Sequence, residues 1–170
     1  DWACVHLASE GPSRLGTVLP RRSQLIRRAA GGDEMPQVLA ANVDLLLVCM
    51  TLGADFSVPR FARYAALAEQ GGVEVKAVLT KADLHSARAE ECVLQMDSFG
   101  VQVFVVSAQD GQGLAELHAA LGVGTTTVML GSSGVGKSTL LNAMAGQVHM
   151  QAGGVREGDE KGRHTTTHRE

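Results

Sequence analysis

The sequence predicts an α/β fold, a mostly parallel sheet with helices on both faces. Short apolar runs recur at 43–50, 75–79, 101–106 and 126–130, and helical periodicity follows them. The first of these runs is nearly continuous instead of alternating, as in a strand buried on both faces. The polar and glycine-rich turns at 80–83, 107–108 and 131–139 follow the carboxyl ends of later runs, the rim where such sheets bind ligands.

Element by element, residues 1–20 alternate polar and apolar around a Gly11-Pro12-Ser13 turn, as in the end of a small β domain. Residues 21–37 carry Arg21, Arg22, Arg27 and Arg28 and then Gly31-Gly32, which reads as a basic linker or an RNA-contacting patch. The α/β domain is expected over 38–170. Its first helix spans 59–71, with Phe61, Tyr64, Ala65 and Ala68 on one face and glycines as the stop. Further helices are expected at 86–99, at 114–121 and from the glycine-rich turn to about 145.

With 15 Lys+Arg against 18 Asp+Glu, the 170-residue chain has a formal charge of −3, which excludes a uniformly basic nucleic-acid binder. At 45% hydrophobic and 19% charged residues it can build a core. The longest apolar run, 45–50, is too short for a bilayer, and no leader-like segment follows Asp1, so the expected compartment is the cytoplasm. Cys4, Cys49 and Cys92 are odd in number and match no metal-ligand spacing. A start inside a strand and an end in a charged loop lead us to expect a fragment.

Gly131-Ser132-Ser133-Gly134-Val135-Gly136-Lys137-Ser138-Thr139 fits GxxxxGK[ST] between a strand and a helix. Such a loop turns its amides onto a phosphate at a helix N-terminus. Lys137 would reach the β- and γ-phosphates, and the Ser138 hydroxyl would ligate Mg²⁺. Thr80-Lys81-Ala82-Asp83 ends a buried run. A carboxylate there accepts two bonds from the N1–H and N2–H₂ edge of guanine and repels the adenine lone pair. Each charge-assisted bond contributes roughly 1.5–3 kcal/mol, so Asp83 would select GTP and GDP. Ser107 and Ala108 follow the next run and could offer backbone N–H groups to the guanine O6.

The base reader here precedes the phosphate loop, the reverse of the usual small-GTPase order, so the P-loop GTPase-type sheet is expected to be circularly permuted. Residues 147–170 would then be switch-like. A threonine among Thr165, Thr166 and Thr167 could meet Mg²⁺ and the γ-phosphate, and His164 could orient the attacking water, with His168 as a second histidine nearby. His6, His85, His118 and His149 receive no functional reading.

These motifs, with residues 18–23, Ala41-Asn42-Val43-Asp44, Asp55-Phe56 and the Gly-Arg-His-Thr-Thr-Thr-His-Arg-Glu run at 162–170, resemble the RsgA (YjeQ) family of circularly permuted GTPases. The resemblance implies the remnant of an N-terminal OB-fold domain in residues 1–20, a GTPase domain, and zinc only in a C-terminal domain not present here. It implies late maturation of the small ribosomal subunit as the function, with that subunit and its rRNA as partners, no membrane, and a monomer. It makes Thr166 the switch threonine and His164 the hydrolytic histidine. Two departures stand out. Thr80 replaces a commoner asparagine, and no Asp-x-Pro-Gly segment follows the phosphate loop, which predicts weak nucleotide binding and poor hydrolysis.

Three other readings compete. Another permuted GTPase of ribosome assembly would carry Asp-Ala-Arg-x-Pro where this chain has Met50 to Phe56. A non-catalytic RNA-binding module would use the arginines of 21–28, and an ATP-dependent P-loop enzyme is disfavoured by Asp83.

Overall fold

In the computed structural model, which describes residues 1–27 and 36–146, the chain opens with two antiparallel ribbons. Strands β1 (Ala3–His6) and β2 (Arg14–Val18) pair first, and Trp2, Val5, Leu7 and Leu15 remain exposed on them. Strands β3 (Gln24–Arg27) and β4 (Gln37–Ala41) pair next. The expected linker is therefore corrected: part of it is a strand. Leu25 is the reason. It is fully buried in the core against α1, and burial of one leucine is worth about 1.5–3 kcal/mol, enough to order a basic segment around it. Residues 28–35, with Arg28, lie outside the described residues.

Four parallel strands follow. They are β5 (Leu45–Thr51), β6 (Glu74–Thr80), β7 (Val103–Val105) and β8 (Thr127–Leu130), in the order β7-β6-β5-β8. Among the described residues the last strand of this sheet in sequence thus lies beside its first, with Leu45 opposite Thr127 and Val48 opposite Leu130. All seven β5 residues are buried, and its side chains divide between two cores. Leu46, Val48 and Met50 face one side, with Phe61 and Ala68 of α1 (Val58–Gly71) and, past the short α2 (Ala82–His85), Cys92 and Met96 of α3 (Ala89–Met96). Leu45, Leu47 and Cys49 face the other, with Leu117 of α4 (Leu114–Ala119) and Leu140 of α5 (Lys137–Ala145). A continuous apolar run is what a strand covered on both faces requires, and the expected α/β architecture holds.

Helix α1 begins where the Ser57 hydroxyl accepts from the Arg60 amide, with Pro in its first turn, and ends at left-handed Gly72. The single helix expected over 86–99 is instead α3 flanked by two 3₁₀ turns, ending at left-handed Gly100. Its only fully buried side chains are Cys92 and Met96, one turn apart, too little apolar surface to hold fourteen residues in one helix.

The sheet is clasped to the second ribbon by the segments around Ser23 and Asn42. Asn42 is buried at φ 55°, where a short polar side chain is tolerated. Its amide donates to the Ser23 carbonyl (2.8 Å), its Oδ1 accepts from the Arg22 amide (2.8 Å), and the Ser23 hydroxyl donates to the Val43 carbonyl. Asp44 then pins β8, its carboxylate accepting from the Thr126 amide at 2.7 Å.

Candidate nucleotide-binding site

At the carboxyl ends of β5, β6 and β7 lies a cleft of about 340 Å³. Lys81, Asp83 and Ala108 line it on one side, Val135, Gly136 and Thr139 on the other. Segments 55 residues apart thus share one cavity, because parallel strands all point their carboxyl ends the same way.

The phosphate loop leaves β8 over the backbone of β5. A Cβ at Gly131 would lie 2.3 Å from the Cys49 carbonyl oxygen, so no side chain fits there. Gly134 (φ 79°) and Gly136 (φ 93°) occupy the left-handed region that turns the chain into α5, and open space faces Gly136. Lys137 opens that helix, and its ammonium donates to the carbonyls of Gly131 (2.9 Å) and Ser132 (2.7 Å), within the loop. Burial lowers the Lys137 pKa below its ordinary value, and the Asp55 carboxylate opposes that shift. Cys49, beneath the loop, is pushed by burial to about 12 and is a neutral thiol at pH 7. It therefore lends Lys137 no charge at that pH. Ser138 and Thr139 occupy the first turn of α5.

On the base side, Lys81 holds a left-handed conformation (φ 59°), rare outside glycine, as the first cap of α2. That turn swings Asp83 into the cleft, where it is exposed, while buried Ala82 donates its amide to the Val106 carbonyl at 3.1 Å. Thr80 is buried, and its hydroxyl lies 2.6 Å from the Val135 carbonyl and 3.2 Å from that of Met50. It has one proton to give, and the shorter contact takes it. The residue that departs from the asparagine pattern is thus the one that ties the base-side strand to the phosphate loop.

Ser107 requires a correction. It is fully buried, its amide donates to the Gln112 carbonyl at 3.0 Å, and its hydroxyl accepts from the amides of Gln109 (3.3 Å) and Asp110 (3.4 Å). The turn uses both groups internally, so Ser107 shapes the wall and Ala108 alone of the pair lines the cleft.

Thr51, Leu84, His85 and Gln109 also line it, and the sequence did not single them out. Thr51 ends β5, so its place at a strand's carboxyl end was the available signal. His85 had none. Its ring packs where a Gly53 Cβ would come within 2.8 Å of Nε2, and Arg88 holds the same loop by donating to the carbonyls of Leu52 (3.0 Å) and Gly53 (3.2 Å).

The expected switch segment at 147–170, with His164, Thr165, Thr166, Thr167 and His168, lies outside the described residues. Of the arginines read as an RNA patch, Arg21 pairs with Asp1 and Arg22 lends its amide to Asn42, while Arg27 lines a separate groove. Among the described residues no group of three or more His, Cys, Asp or Glu could hold a metal, and no helix is long and apolar enough to cross a membrane.

Comparison with known proteins fits this geometry. The family described as RsgA GTPase matches residues 18–170. A small ribosomal subunit biogenesis GTPase, RsgA 2, from Lactiplantibacillus plantarum is 40% identical over 171 residues, covering 100% of this chain and 48% of that protein. An RsgA of the same description from Xanthomonas oryzae pv. oryzae is 42% identical, covering 99% of this chain and 46% of its own. The chain thus spans about half the length of the relatives it matches. The crystal structure of YjeQ from Thermotoga maritima matches with a TM-score of 0.66 at 28% identity, over 82% of this chain and 48% of that one. YloQ, described as a circularly permuted GTPase, matches with a TM-score of 0.61 over 83% of this chain and 47% of its own; at 22% identity it speaks to the fold alone. A base-side turn that comes before the phosphate loop in sequence yet meets it in one cleft, together with a family match over 18–170, places the chain in the RsgA GTPase family.

Proposed function

We propose that this chain forms the guanine-nucleotide site of a GTPase acting in maturation of the small ribosomal subunit. The cleft shared by Lys81, Asp83, Gly136 and Thr139 is the observation that carries this reading. In it, Asp83 accepts from the guanine N1–H and N2–H₂ groups, the Lys81 stem lies along the base plane, and the Ala108 amide faces O6. The loop amides from Ser132 to Thr139 wrap the diphosphate, aided by the positive end of α5. Lys137 moves its donated bonds from the Gly131 and Ser132 carbonyls to β- and γ-phosphate oxygens.

The donor set fits Mg²⁺. Open space at Gly136 admits a phosphate, and the Ser138 hydroxyl, one residue beyond Lys137, is a hard oxygen ligand of the kind that ion takes. Bound there, Mg²⁺ supplies neutralisation of the phosphate charge. Thr166 is proposed as a second ligand, and His164 as the group that orients the attacking water.

The partners proposed are the small ribosomal subunit and its rRNA, for a cytoplasmic monomer. Titration of a fluorescent GDP analogue against GDP and ADP tests the base reading. GDP should compete at a concentration at least about 100-fold lower than ADP, from two charge-assisted bonds. Equal competition overturns the assignment. Phosphate release from GTP, with and without purified small subunits, tests the catalytic part, and stimulation is the expected result.

A further inference from the structure

Thr51 closes β5 at the rim of the nucleotide cleft, opposite Thr80 in the strand register. It is only 5% exposed, and it lines the cleft, so the exposure it keeps opens there. None of the hydrogen bonds among the described residues uses its hydroxyl. A hydroxyl this enclosed ordinarily has a partner, and one without carries a free-energy penalty that a ligand atom can remove. We propose that the Thr51 hydroxyl donates to N7 of the bound purine. The inference rests on the guanine reading above and adds a binding residue to it.

The order of strands along the rim carries the argument. It runs β7, β6, β5, β8. Ala108 follows β7, and the phosphate loop follows β8. With the guanine O6 at Ala108 and the phosphates at the loop, the purine edge between them crosses the ends of β6 and β5. Beyond O6, that edge carries one acceptor, N7. Two hydroxyls stand at those strand ends. The Thr80 proton goes to the Val135 carbonyl at 2.6 Å, which leaves none for the base. Thr51, one strand nearer the loop, has its proton uncommitted. By the alternation of a strand its side chain shares a face with Cys49 and Leu47, the face covered by α5, which opens directly from the phosphate loop. A valine would fill the same space, so burial alone gives no reason for a hydroxyl at this position.

Displacement of a fluorescent GDP analogue from the full chain, by GDP and by 7-deaza-GDP, tests the assignment. In 7-deaza-GDP a C–H group replaces N7 and nothing accepts. One neutral hydrogen bond sets the expected difference, with 7-deaza-GDP binding about 3–10-fold more weakly. T51V keeps the shape and removes the donor. It should weaken GDP by a similar factor and bring the two ligands to equal affinity. T51S, which retains a hydroxyl, should keep the difference. Because the hydroxyl bonds to nothing in the fold, T51V should unfold thermally no earlier than the unsubstituted chain. Equal affinity of the two ligands for the unsubstituted chain overturns the proposal without any variant. So does a difference that survives in T51V, or one that T80V abolishes and T51V does not, which would return N7 to Thr80. Adenine carries the same N7. Equal competition by ADP would therefore sink the guanine reading and leave the comparison of ADP with 7-deaza-ADP to judge Thr51.

Discussion

The base-side wall of the cleft and its phosphate wall are built from different parts of the chain's chemistry. Half-buried Lys81 and exposed Asp83 present side chains outside the core, on a turn fixed by the left-handed Lys81 backbone. The phosphate loop presents mainly backbone, packed against the buried central strand, with Gly131 touching the Cys49 carbonyl and Lys137 folded back on the loop. The difference teaches a division of labour. On the proposed reading, the side-chain wall would set which base is chosen at almost no cost to stability, whereas the backbone wall would set affinity, and a side chain at Gly131 would strain β5.

That division can be broken most directly at Asp83. D83A should cut the preference for GDP over ADP by about 10²–10⁴-fold, the worth of two charge-assisted bonds, and leave thermal unfolding within a degree or two. A large loss of stability would show that the base wall is structural after all. The converse change is G131A. Its Cβ meets backbone, which yields little, so we expect about 2–4 kcal/mol of destabilisation in denaturant unfolding and loss of measurable GDP binding. Lys137→Ala should weaken GDP binding about 10–100-fold and leave the GDP-to-ADP ratio unchanged. If the ratio moves with it, the two walls are not separable.

Thr80 sharpens the comparison because it touches both walls. T80V keeps the shape and removes the hydroxyl, leaving the Val135 carbonyl without its donor, at about 1–2 kcal/mol. GDP affinity should fall several-fold with selectivity intact, as fluorescence titration can read. The smallest effect is in pH. Lys137 loses its proton below the ordinary lysine value because burial disfavours the charge, and the protonated form is the one that grips phosphate. GDP affinity should therefore decline as pH rises toward that lowered value, and K137R, which stays charged, should show no such decline.

Much of this was legible in advance. The phosphate loop and the Lys81–Asp83 turn are local motifs with an obligatory neighbour on each side, so spacing alone located them. The strand β5 was legible because seven buried residues in a row leave an unbroken apolar run. β3 was not, since four residues with an arginine at one end carry no periodicity, and only the burial of Leu25 against α1 makes them a strand. His85 and Gln109 were equally silent, because nothing in a residue's type says which cavity it will border.

What the sequence determined by itself was the alternation of elements and the places of the two motifs proposed to be nucleotide-directed, since both are written in contiguous residues. The tertiary structure alone decided that β8 inserts beside β5, that the Thr80 hydroxyl bonds to the Val135 carbonyl, and that Ser107 turns inward while Ala108 faces the cleft. Those outcomes depend on contacts between segments far apart in the chain, and hydrogen-bond satisfaction in the folded interior, not local propensity, selects among them.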